Sequence, residues 1–358
     1  MNTRTLPLVE VRGSHRQMGQ QMGEARRESI AHALETAHQL IDDAYQTLQL
    51  TWDGARIQAR KYLPFAQERY PQYIEELEGI AEGANASLDD LLVINAMEAV
   101  TSDALHLTKC TSLAVNQSRT ASGNVLVAHN EDWLPEDEAD VFVLRAFPDD
   151  GPPFLAMTYG GLLPNIGFNA AGIAQCCDSV YPSDSRIGIP RLVVSRAVLS
   201  ARTISEAIRH ILVPQRAAGY NHLLAHESGE LYSIEVSARQ FAVLYGLDGS
   251  IAHTNHYLDP QMKLVESEPD EQISTRIRYF RALRLLQQRE KFTVKDLVEI
   301  QRDHVNYPES ICNHETPGDP LDRQKTITAL IMDLTQRQMH ICWGNPCSST
   351  YCTYQLDA

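Results

Sequence analysis

Lys109-Cys110-Thr111-Ser112-Leu113-Ala114-Val115 is a short run of β-forming residues with a cysteine at its second position. A second run, Asn124-Val125-Leu126-Val127-Ala128, follows after Ser122-Gly123, a pair of residues typical of a turn. The two runs therefore predict a β-hairpin. The second run continues directly into His129-Asn130-Glu131-Asp132-Trp133, so four polar side chains follow an apolar strand.

Before this hairpin the chain has helical patterns, and after it helical and strand-like segments follow one another. Apolar residues return at three- and four-residue steps from Arg16 to Leu48, which is the period of an amphipathic helix. Further strand-like runs and helical segments such as 276–288 and 293–302 follow the hairpin, and residues 326–356 are again rich in strands. This order predicts a single α/β domain over residues 1–358 with largely antiparallel strands.

The chain is acidic and has an ordinary globular composition. It has 358 residues, with Lys+Arg 31 against Asp+Glu 46 and a formal net charge of −15. Nucleic acids and anionic membranes bind basic surfaces, so this charge argues against both as partners. The hydrophobic fraction of 43% and the charged fraction of 22% are typical of a folded protein rather than a disordered one.

The sequence also lacks the usual signs of membrane insertion and secretion. It contains no long uninterrupted apolar run, and the segment from Met1 to Pro7 has no apolar stretch behind its arginine. We therefore expect a soluble cytoplasmic protein, with a homo-oligomer as one option for its assembly.

The cysteines do not follow a pattern typical of a disulfide-rich or zinc-binding protein. Their number, 7, is odd in a long chain, and no Cys-x-x-Cys pair occurs. No histidine stands at zinc-ligand spacing around Cys347 or Cys352. We therefore predict no metal and no cofactor. Most of these cysteines are expected to be small buried residues, and Cys110 is the exception.

Several motifs accompany this cysteine in a fixed order. Asn130-Glu131-Asp132-Trp133 comes one strand after Cys110, and the later blocks are Ile166–Ala174, Ile189-Pro190-Arg191, Ser195-Arg196-Ala197, His253–His256 and Asp303–Cys312. Together these blocks resemble the acyl-coenzyme A:6-aminopenicillanic-acid acyltransferase (isopenicillin-N acyltransferase-like) family. That family belongs to the N-terminal-nucleophile hydrolases. The resemblance extends from about residue 100 to the end of the chain.

The resemblance implies a fold and a processing event. The fold is a four-layer αββα sandwich, in which helices cover two stacked antiparallel sheets and Cys110 starts a central strand. The processing event is self-cleavage between Lys109 and Cys110, which would give a helical chain 1–109 and a second chain 110–358. A thiol with a pKa of about 8.5 needs a base at neutral pH, and a released α-amino group with a pKa of about 7.7–8.0 is suited to that task.

The resemblance also assigns catalytic residues. Cys110 would attack the Lys109 carbonyl first and the substrate carbonyl later, forming an acyl-enzyme. Asp132 would lie near the new ammonium group and the thiol, and Asn130 on the same strand would face the same side. Asn255 matches the family's oxyanion-hole asparagine, whose side-chain amide donates to the developing negative charge.

Arg276 resembles the arginine that many thiol members of the superfamily keep near the nucleophile. Purely structural interpretations stay open as well. They are a turn cap for Asp132, a turn position for Asn255 and, for Arg276, a solvated helix face shared with Arg278, Arg281 and Arg284.

Three further residues, Ser310, Cys177 and Asn169, are assigned to the substrate pocket rather than to catalysis. Two positions depart from the family pattern. Lys109 stands where a glycine commonly precedes the nucleophile, and Asn313 follows the Ser-Ile-Cys block where a basic residue is usual. The change at Asn313 would alter the charge of the substrate that the pocket accepts.

Two reactions fit these residues. In an amidohydrolase, water resolves the acyl-enzyme. In an acyltransferase, the acyl group moves between a thioester such as acyl-coenzyme A and an amine. We favour the hydrolase acting on a small-molecule amide, because water needs no acceptor pocket and the sequence shows no basic cluster for a coenzyme A phosphate tail. A third interpretation is an uncleaved, non-catalytic binding protein on the same scaffold.

Overall fold

The computed structural model describes residues 4–97, 105, 109–267, 273–316 and 323–357. None of the described helices is long and apolar enough to cross a membrane. In chain order, the helices are α1 His15–Ala25, α2 Arg27–Asp43, α3 Tyr45–Leu48, α4 Trp52–Arg60, α5 Leu63–Arg69, α6 Pro71–Ala84, α7 Leu88–Asn95, α8 Arg191–Val198, α9 Ile204–Ile211, α10 Ile273–Gln287 and α11 Val294–Gln301.

Strands make up much of the chain after residue 109, as the sequence predicts. They are β1 Leu8–Gly13, β2 Lys109–Val115, β3 Leu126–Trp133, β4 Val141–Pro148, β5 Phe154–Tyr159, β6 Ile166–Asn169, β7 Ile173–Asp178, β8 Tyr220–His226, β9 Leu231–Val236, β10 Phe241–Tyr245, β11 Ser250–His253, β12 Lys325–Asp333, β13 Gln338–Trp343 and β14 Cys352–Gln355.

These strands form two sheets. An 8-stranded sheet has the order β1-β4-β5-β6-β7-β8-β9-β10, and a 6-stranded sheet has the order β11-β2-β3-β12-β13-β14. Neighbouring strands pair antiparallel throughout, except that β1 runs parallel to β4. The prediction of two antiparallel sheets is therefore confirmed, and the one parallel pair joins a strand from before the hairpin to the strands after it.

The predicted hairpin is present in the middle of the 6-stranded sheet, where β2 pairs with β3. Successive side chains of a strand point to opposite faces of the sheet. Ala114 of β2 points into the core between the two sheets, whereas Ala128 of β3 points outward to α10 and α11. Counting along each strand by twos places Cys110 on the inner face and Asp132 on the outer face.

Helices cover both sheets. On the outside of the 8-stranded sheet, α1, α2, α6 and α8 share a buried apolar cluster with β4 and β5. On the outside of the 6-stranded sheet, α10 and α11 contribute Ala282, Leu286, Leu297 and Ile300 to another cluster. A third apolar cluster lies between the sheets. The order helix, sheet, sheet, helix confirms the four-layer αββα architecture.

A buried ion network links α6, which precedes the hairpin, to α8, which follows it. Glu76 of α6 and Arg196 of α8 are both buried, and Nε and Nη2 of Arg196 donate to the carboxylate at 3.0–3.2 Å. Nδ1 of His15 hydrogen-bonds the same carboxylate at 2.7 Å. These contacts, together with the β1–β4 pairing, join residues 4–97 to the part of the chain after Lys109.

The contact between α1 and α6 depends on glycine. A methyl group on Gly19 would lie 2.0 Å from the carbonyl oxygen of Glu76, and a methyl group on Gly79 would lie 2.2 Å from the carbonyl oxygen of Arg16. Only residues without a Cβ allow two helix backbones to approach this closely. This packing holds α6, and therefore Glu76, in place.

Candidate active site

Cys110 is the second residue of β2, and 1% of its surface is exposed. In the β2–β3 pair it stands directly opposite Glu131, so the two side chains lie on the same face of the sheet. Its Sγ is 3.7 Å from Oε2 of Glu131. The thiol thus lies between the two sheets, near the head of a central strand, and it touches a carboxylate.

Glu131 is held by a chain of buried polar groups. Tyr159 donates to its Oε1 at 3.0 Å, and Nε2 of His129 lies 2.8 Å from its Oε2. The Ser112 hydroxyl donates to Asp178 at 2.7 Å, so at the 2.9 Å contact between Ser112 and His129 it is Nδ1 of His129 that donates. Nδ1 of His129 therefore faces Ser112, and Nε2 faces the Glu131 carboxylate. Sequence reasoning missed both His129 and Glu131.

The buried polar groups between the two sheets also include His253. Its Nε2 is 2.8 Å from Glu235, and its Nδ1 is 3.6 Å from Asp178. Burial opposes protonation of this ring, but the hydrogen bonds and charges of the two carboxylates outweigh burial and raise the pKa of His253 to about 9. The ring is therefore an imidazolium at neutral pH, and it balances two carboxylates between the sheets.

Asn255 reaches Cys110 from 145 residues away in the sequence. The backbone N–H of Cys110 donates to Oδ1 of Asn255 at 2.7 Å. Nδ2 of Asn255 donates to the carbonyl of Ser179 at 3.0 Å, and its backbone N–H donates to Thr275 at 2.7 Å. The side chain is thus fixed against the nucleophile candidate through its oxygen. The expected donation to an oxyanion stays a prediction.

The structure places Arg278 at Cys110. Arg278 is 1% exposed, and its guanidinium donates to the carbonyl oxygen of Cys110. It also donates to Oγ1 of Thr111 at 3.0 Å and to Oδ1 of Asn255 at 2.9 Å. The expectation that Arg278 lies on a solvated helix face is therefore wrong.

The helical period explains this difference. The buried positions of α10 recur at three- and four-residue steps and are Thr275, Arg278, Ala282 and Leu286. Arg276 is not one of these buried positions. Its side chain is 35% exposed, and it donates to Glu266 at 3.2 Å. The structure therefore does not bring Arg276 to the cysteine, and the spacing from Ala282 and Leu286 could have identified Arg278 from the sequence.

Asp132 is buried on the outer face of the sheet. It stands opposite Lys109, the residue before Cys110, so its carboxylate lies on the other side of the sheet from the thiol. Its Oδ1 accepts from Oγ1 of Thr326 at 2.6 Å. Its Oδ2 is buried and has no hydrogen-bond partner within the described residues. The carboxylate therefore has a free acceptor beside the peptide bond that is expected to be cut.

Asn130 shares the outer face with Asp132, as the sequence predicts. Its Nδ2 donates to the carbonyls of Gln301 and Ile311 at 3.0 and 2.8 Å. These bonds fasten β3 to the end of α11 and to the loop that follows it. The contacts of Asn130 therefore fix the position of the strand.

Burial controls the proton affinities of the site. It raises the pKa of the Cys110 thiol well above its usual range, and Glu131, Asp178 and Asp132 raise it further, while the charge of Arg278 opposes them. Burial also raises the pKa of Asp132 to about 7, against the opposing effect of Arg278. In the uncut chain the thiol is therefore protonated and needs a proton acceptor in contact with it.

A pocket opens beside Glu131, with an empty volume of about 390 Å³ including open solvent. Its wall contains the rings of Trp133, Tyr159 and Tyr220, and among the residues that the structure describes its charged groups are Glu131 and Arg191. Ser179, whose carbonyl accepts from Asn255, also lines it. The pocket therefore adjoins the groups that contact Cys110, and it presents one carboxylate and one guanidinium to a small ligand.

The three residues assigned to substrate binding do not border this pocket. Asn169 and Ser310 donate to backbone carbonyls, at 2.8–3.0 Å and 2.7 Å respectively. Sγ of Cys177 lies 3.6 Å from Oγ of Ser195. All three side chains are buried and use their polar atoms to hold neighbouring segments.

Residues 118–348 match the sequence profile of the family described as acyl-coenzyme A:6-aminopenicillanic acid acyl-transferase. The chain belongs to this family. The resemblance found in the sequence motifs is therefore confirmed, and so is the expectation of an enzyme of the acyl-transfer and amide-cleaving class.

The individual proteins that this chain resembles are distant from it in sequence. The chain is 25% identical to the acyl-coenzyme A:6-aminopenicillanic-acid-acyltransferase 40 kDa form of Emericella nidulans over 350 residues, 94% of this chain and 92% of that protein. It is 26% identical to the beta-alanyl-dopamine/carcinine hydrolase of Drosophila melanogaster over 224 residues, 57% of this chain and 56% of that protein. Penicillin V acylase from Agrobacterium tumefaciens superposes with a TM-score of 0.46 and 16% identity, covering 65% of this chain and 83% of that one.

Asp132 makes the stability of the uncut chain depend on pH. Its pKa is about 7 when folded and 3.8 in the reference state, so between these values the folded chain binds a proton that the unfolded chain does not. The contribution of Asp132 to the free energy of unfolding is fully present below pH 4. It falls by about 1.4 kcal/mol per pH unit as the pH rises from 4 towards 7, and it is lost above that. We expect Asp132→Asn, made in a Cys110→Ala background, to remove this slope in urea unfolding between pH 4 and 7.

The exposed Asp248→Asn, made in the same background, serves as the control and should keep the slope. Asp137, whose pKa burial also raises to about 7, contributes a slope of the same sign that both variants retain. Equal slopes in the Asp132 and Asp248 variants would contradict the shifted pKa of Asp132.

Proposed function

We propose that this chain is a self-processing cysteine amidohydrolase. It would cleave a small acyl-amide, an N-acyl amine or N-acyl amino acid, through an acyl-enzyme on Cys110. One observation carries the proposal: the N–H, the carbonyl and the thiol of this residue are contacted by Asn255, Arg278 and Glu131 respectively. A cysteine that only fills the core needs none of these contacts.

The first reaction breaks the peptide bond between Lys109 and Cys110. Sγ attacks the Lys109 carbonyl carbon, and its proton passes to Oε2 of Glu131, 3.7 Å away. The carbon–nitrogen bond then breaks as the nitrogen takes up the proton that Glu131 received from the thiol. Water hydrolyses the thioester, which leaves a carboxylate on Lys109 and a free thiol and amine on Cys110.

The new α-amine gives the thiol a base suited to neutral pH. Asn255 supports this role, because its Oδ1 already accepts from the nitrogen that becomes the amine. Asp132 supports it as well, because its Oδ2 is a buried acceptor without a partner in the described residues, and a new ammonium group needs such an acceptor. The outer position of Asp132 suits this nitrogen better than the thiol.

Substrate turnover would use the same groups. The thiolate attacks the substrate carbonyl, the amine group hands its proton to the leaving amine, and water then resolves the acyl-enzyme. In the structure, Nδ2 of Asn255 donates to the carbonyl of Ser179, a residue that lines the pocket. A substrate carbonyl oxygen that enters the pocket can take over this donor, as an oxyanion hole requires.

The pocket favours small substrates with both charged and apolar parts. Glu131 suits a cationic group, Arg191 suits an anionic one, and the three aromatic rings suit an apolar acyl or aryl group. The similarity to a protein named for beta-alanyl-dopamine and carcinine hydrolysis supports an amide of a small amine as substrate.

Acyl transfer is the second candidate. It is favoured by the similarity to the Emericella acyltransferase, which extends over 94% of this chain. Hydrolysis is better supported at the pocket, because the charged groups among its described lining residues are a single guanidinium and a carboxylate, and a polyphosphate tail would meet that carboxylate.

Self-cleavage can be tested on the purified chain. Scaling the mass of 40.1 kDa by chain length, we expect fragments of about 12 and about 28 kDa, with Cys110 at the new N-terminus. Intact mass spectrometry and N-terminal sequencing measure this directly. Cys110→Ala should stay at full length, whereas Cys352→Ala should cleave normally because that thiol lies on the edge strand β14. A wild-type chain that stays whole on incubation would support the non-catalytic interpretation.

Two arginines on the same helix give a matched test of the site. We expect Arg278→Gln to slow cleavage more than about a hundredfold, because the thiol loses the cation that lowers its pKa and the Cys110 carbonyl loses a donor. Arg276→Gln should cleave near the wild-type rate, since that side chain donates to Glu266. The time course of the full-length band gives both rates.

The buried substitution needs its own control. Arg278→Lys keeps the charge, so it should fold and recover part of the rate lost in Arg278→Gln. Circular dichroism verifies that each variant is folded. Equal cleavage rates for the folded Arg276 and Arg278 variants would remove Arg278 from the reaction.

Amine release distinguishes hydrolysis from transfer. With a panel of acylated amines and acylated amino acids, we expect the cleaved enzyme to release the amine in water alone, and uncleaved Cys110→Ala to release none. Chromatography of the free amine and the free acid provides the measurement. Product that forms only after a thiol or a second amine is added would show that the enzyme is an acyltransferase.

A further inference from the structure

Two segments that are distant in the sequence bring together a group of side chains apart from the active site. This group, called here the His/Cys cluster, consists of His304, Cys312, His314 and Cys347. Its four ligand atoms, the histidine ring nitrogens and the two Sγ atoms, all lie within 4.8 Å of one another. Cys312 is buried, whereas His304 and Cys347 are exposed, so the cluster sits at the surface with one member in the interior.

Hydrogen bonds do not account for this arrangement. Three atoms converge on Nε2 of His314: Nε2 of His304 at 3.1 Å, Sγ of Cys312 at 3.5 Å and Sγ of Cys347 at 3.6 Å. A ring nitrogen carries either one proton or one lone pair in the ring plane, so it can satisfy one of these partners. A cation between the four atoms would satisfy all of them.

The distances match a tetrahedral zinc site. With Zn–S of about 2.3 Å and Zn–N of about 2.0–2.1 Å, the edges of the tetrahedron are about 3.6 Å from sulfur to nitrogen and about 3.3 Å between nitrogens. The observed sulfur–nitrogen distances are 3.5 and 3.6 Å, and the nitrogen–nitrogen distance is 3.1 Å. Two thiolates and two imidazoles are also a ligand set that selects zinc in structural sites.

The surroundings hold the ligands in orientation. The ring of Tyr307 packs against His304 and His314, with centroids 5.9 and 5.1 Å away. Nδ2 of Asn345 lies 3.7 Å from Sγ of Cys312, where it can donate to a thiolate. The backbone N–H of Cys312 donates to the carbonyl of Asp303 at 3.0 Å, which fixes the loop between these residues.

We propose that the His/Cys cluster binds one Zn²⁺ ion as a structural site. Four protein ligands leave no open position, so the ion ties segments together and takes no part in the reaction. It would join the loop 303–314 to Cys347. That loop contacts the active site, because the Asn313 N–H donates to Thr326 at 2.9 Å, and Thr326 donates to Asp132 at 2.6 Å. This proposal does not depend on the proposed reaction of Cys110.

Zinc content of the full-length chain tests the site. After incubation with excess zinc under a phosphine reductant and removal of free metal, we expect about one zinc per wild-type chain by inductively coupled plasma mass spectrometry. Cys347→Ser and His304→Asn change exposed side chains, so both should fold, and each should retain at least about tenfold less zinc. Cys352→Ser removes a cysteine outside the cluster and should retain zinc like the wild type.

Replacing Zn²⁺ with Co²⁺ shows by visible absorption which atoms bind the metal. A tetrahedral Co²⁺ site with thiolate ligands gives intense visible bands and a sulfur-to-metal charge-transfer band, and we expect both in the wild type and in Cys352→Ser. The charge-transfer band should fall in Cys347→Ser, and the visible bands should change in His304→Asn. Wild-type protein that retains no more zinc than folded Cys347→Ser would overturn the proposal. So would a Cys312–Cys347 disulfide that persists in the reductant, seen as a loss of about two mass units.

Discussion

The register between β2 and β3 is the constraint on which the rest of the site depends. It sets Cys110 opposite Glu131 on the inner face and leaves Asp132 on the outer face. A shift by one residue would exchange the two faces and put the thiol against α10. Pairing of β2 with β11 and of β3 with β12 holds this register from both sides. Gln301 adds to it from α11, because its side chain donates to the carbonyls of His129 and Leu330 on adjacent strands.

The polar layer between the sheets is costly in electrostatic terms, and its composition shows how that cost is offset. Each carboxylate that is buried between the two sheets has several donors. Asp178 accepts from Ser112 and Asn221, and Glu235 accepts from two backbone N–H groups besides the ring of His253. The same burial raises the pKa of the nearby thiol, so the thiol must pass its proton to an acceptor in contact with it before it can act as a nucleophile. Groups with strongly shifted pKa values around a pocket are typical of functional sites.

Much of the architecture can be predicted from the sequence, because local patterns decide it. The hairpin follows from two β-rich runs around Ser122-Gly123, and the approach of Asn255 to Cys110 follows from a family motif. Glu131 cannot be identified in this way, since its position opposite the thiol depends on the strand register and not on its place in Asn-x-Asp. Arg278 was identifiable, because it lies on the stripe of its helix that also carries apolar side chains. The ligands of the His/Cys cluster lie up to 33 residues from His314 on two separate loops, so no spacing rule connects them.

The β1–β4 pairing and the Glu76–Arg196 ion pair determine how the two chains would be held together after the proposed cleavage. Neither contact passes through the Lys109–Cys110 peptide bond, and both are formed inside one folded chain. Cutting that bond would convert contacts within one folded chain into an interface between two chains that had folded together. Two separate subunits lose translational and rotational freedom when they associate, at a cost estimated at about 4–15 kcal/mol. If the Lys109–Cys110 bond is cut after folding, as proposed, the connecting peptide would limit that loss while the chain folds. The two resulting chains would then need no diffusional encounter, and their assembly would not depend on protein concentration.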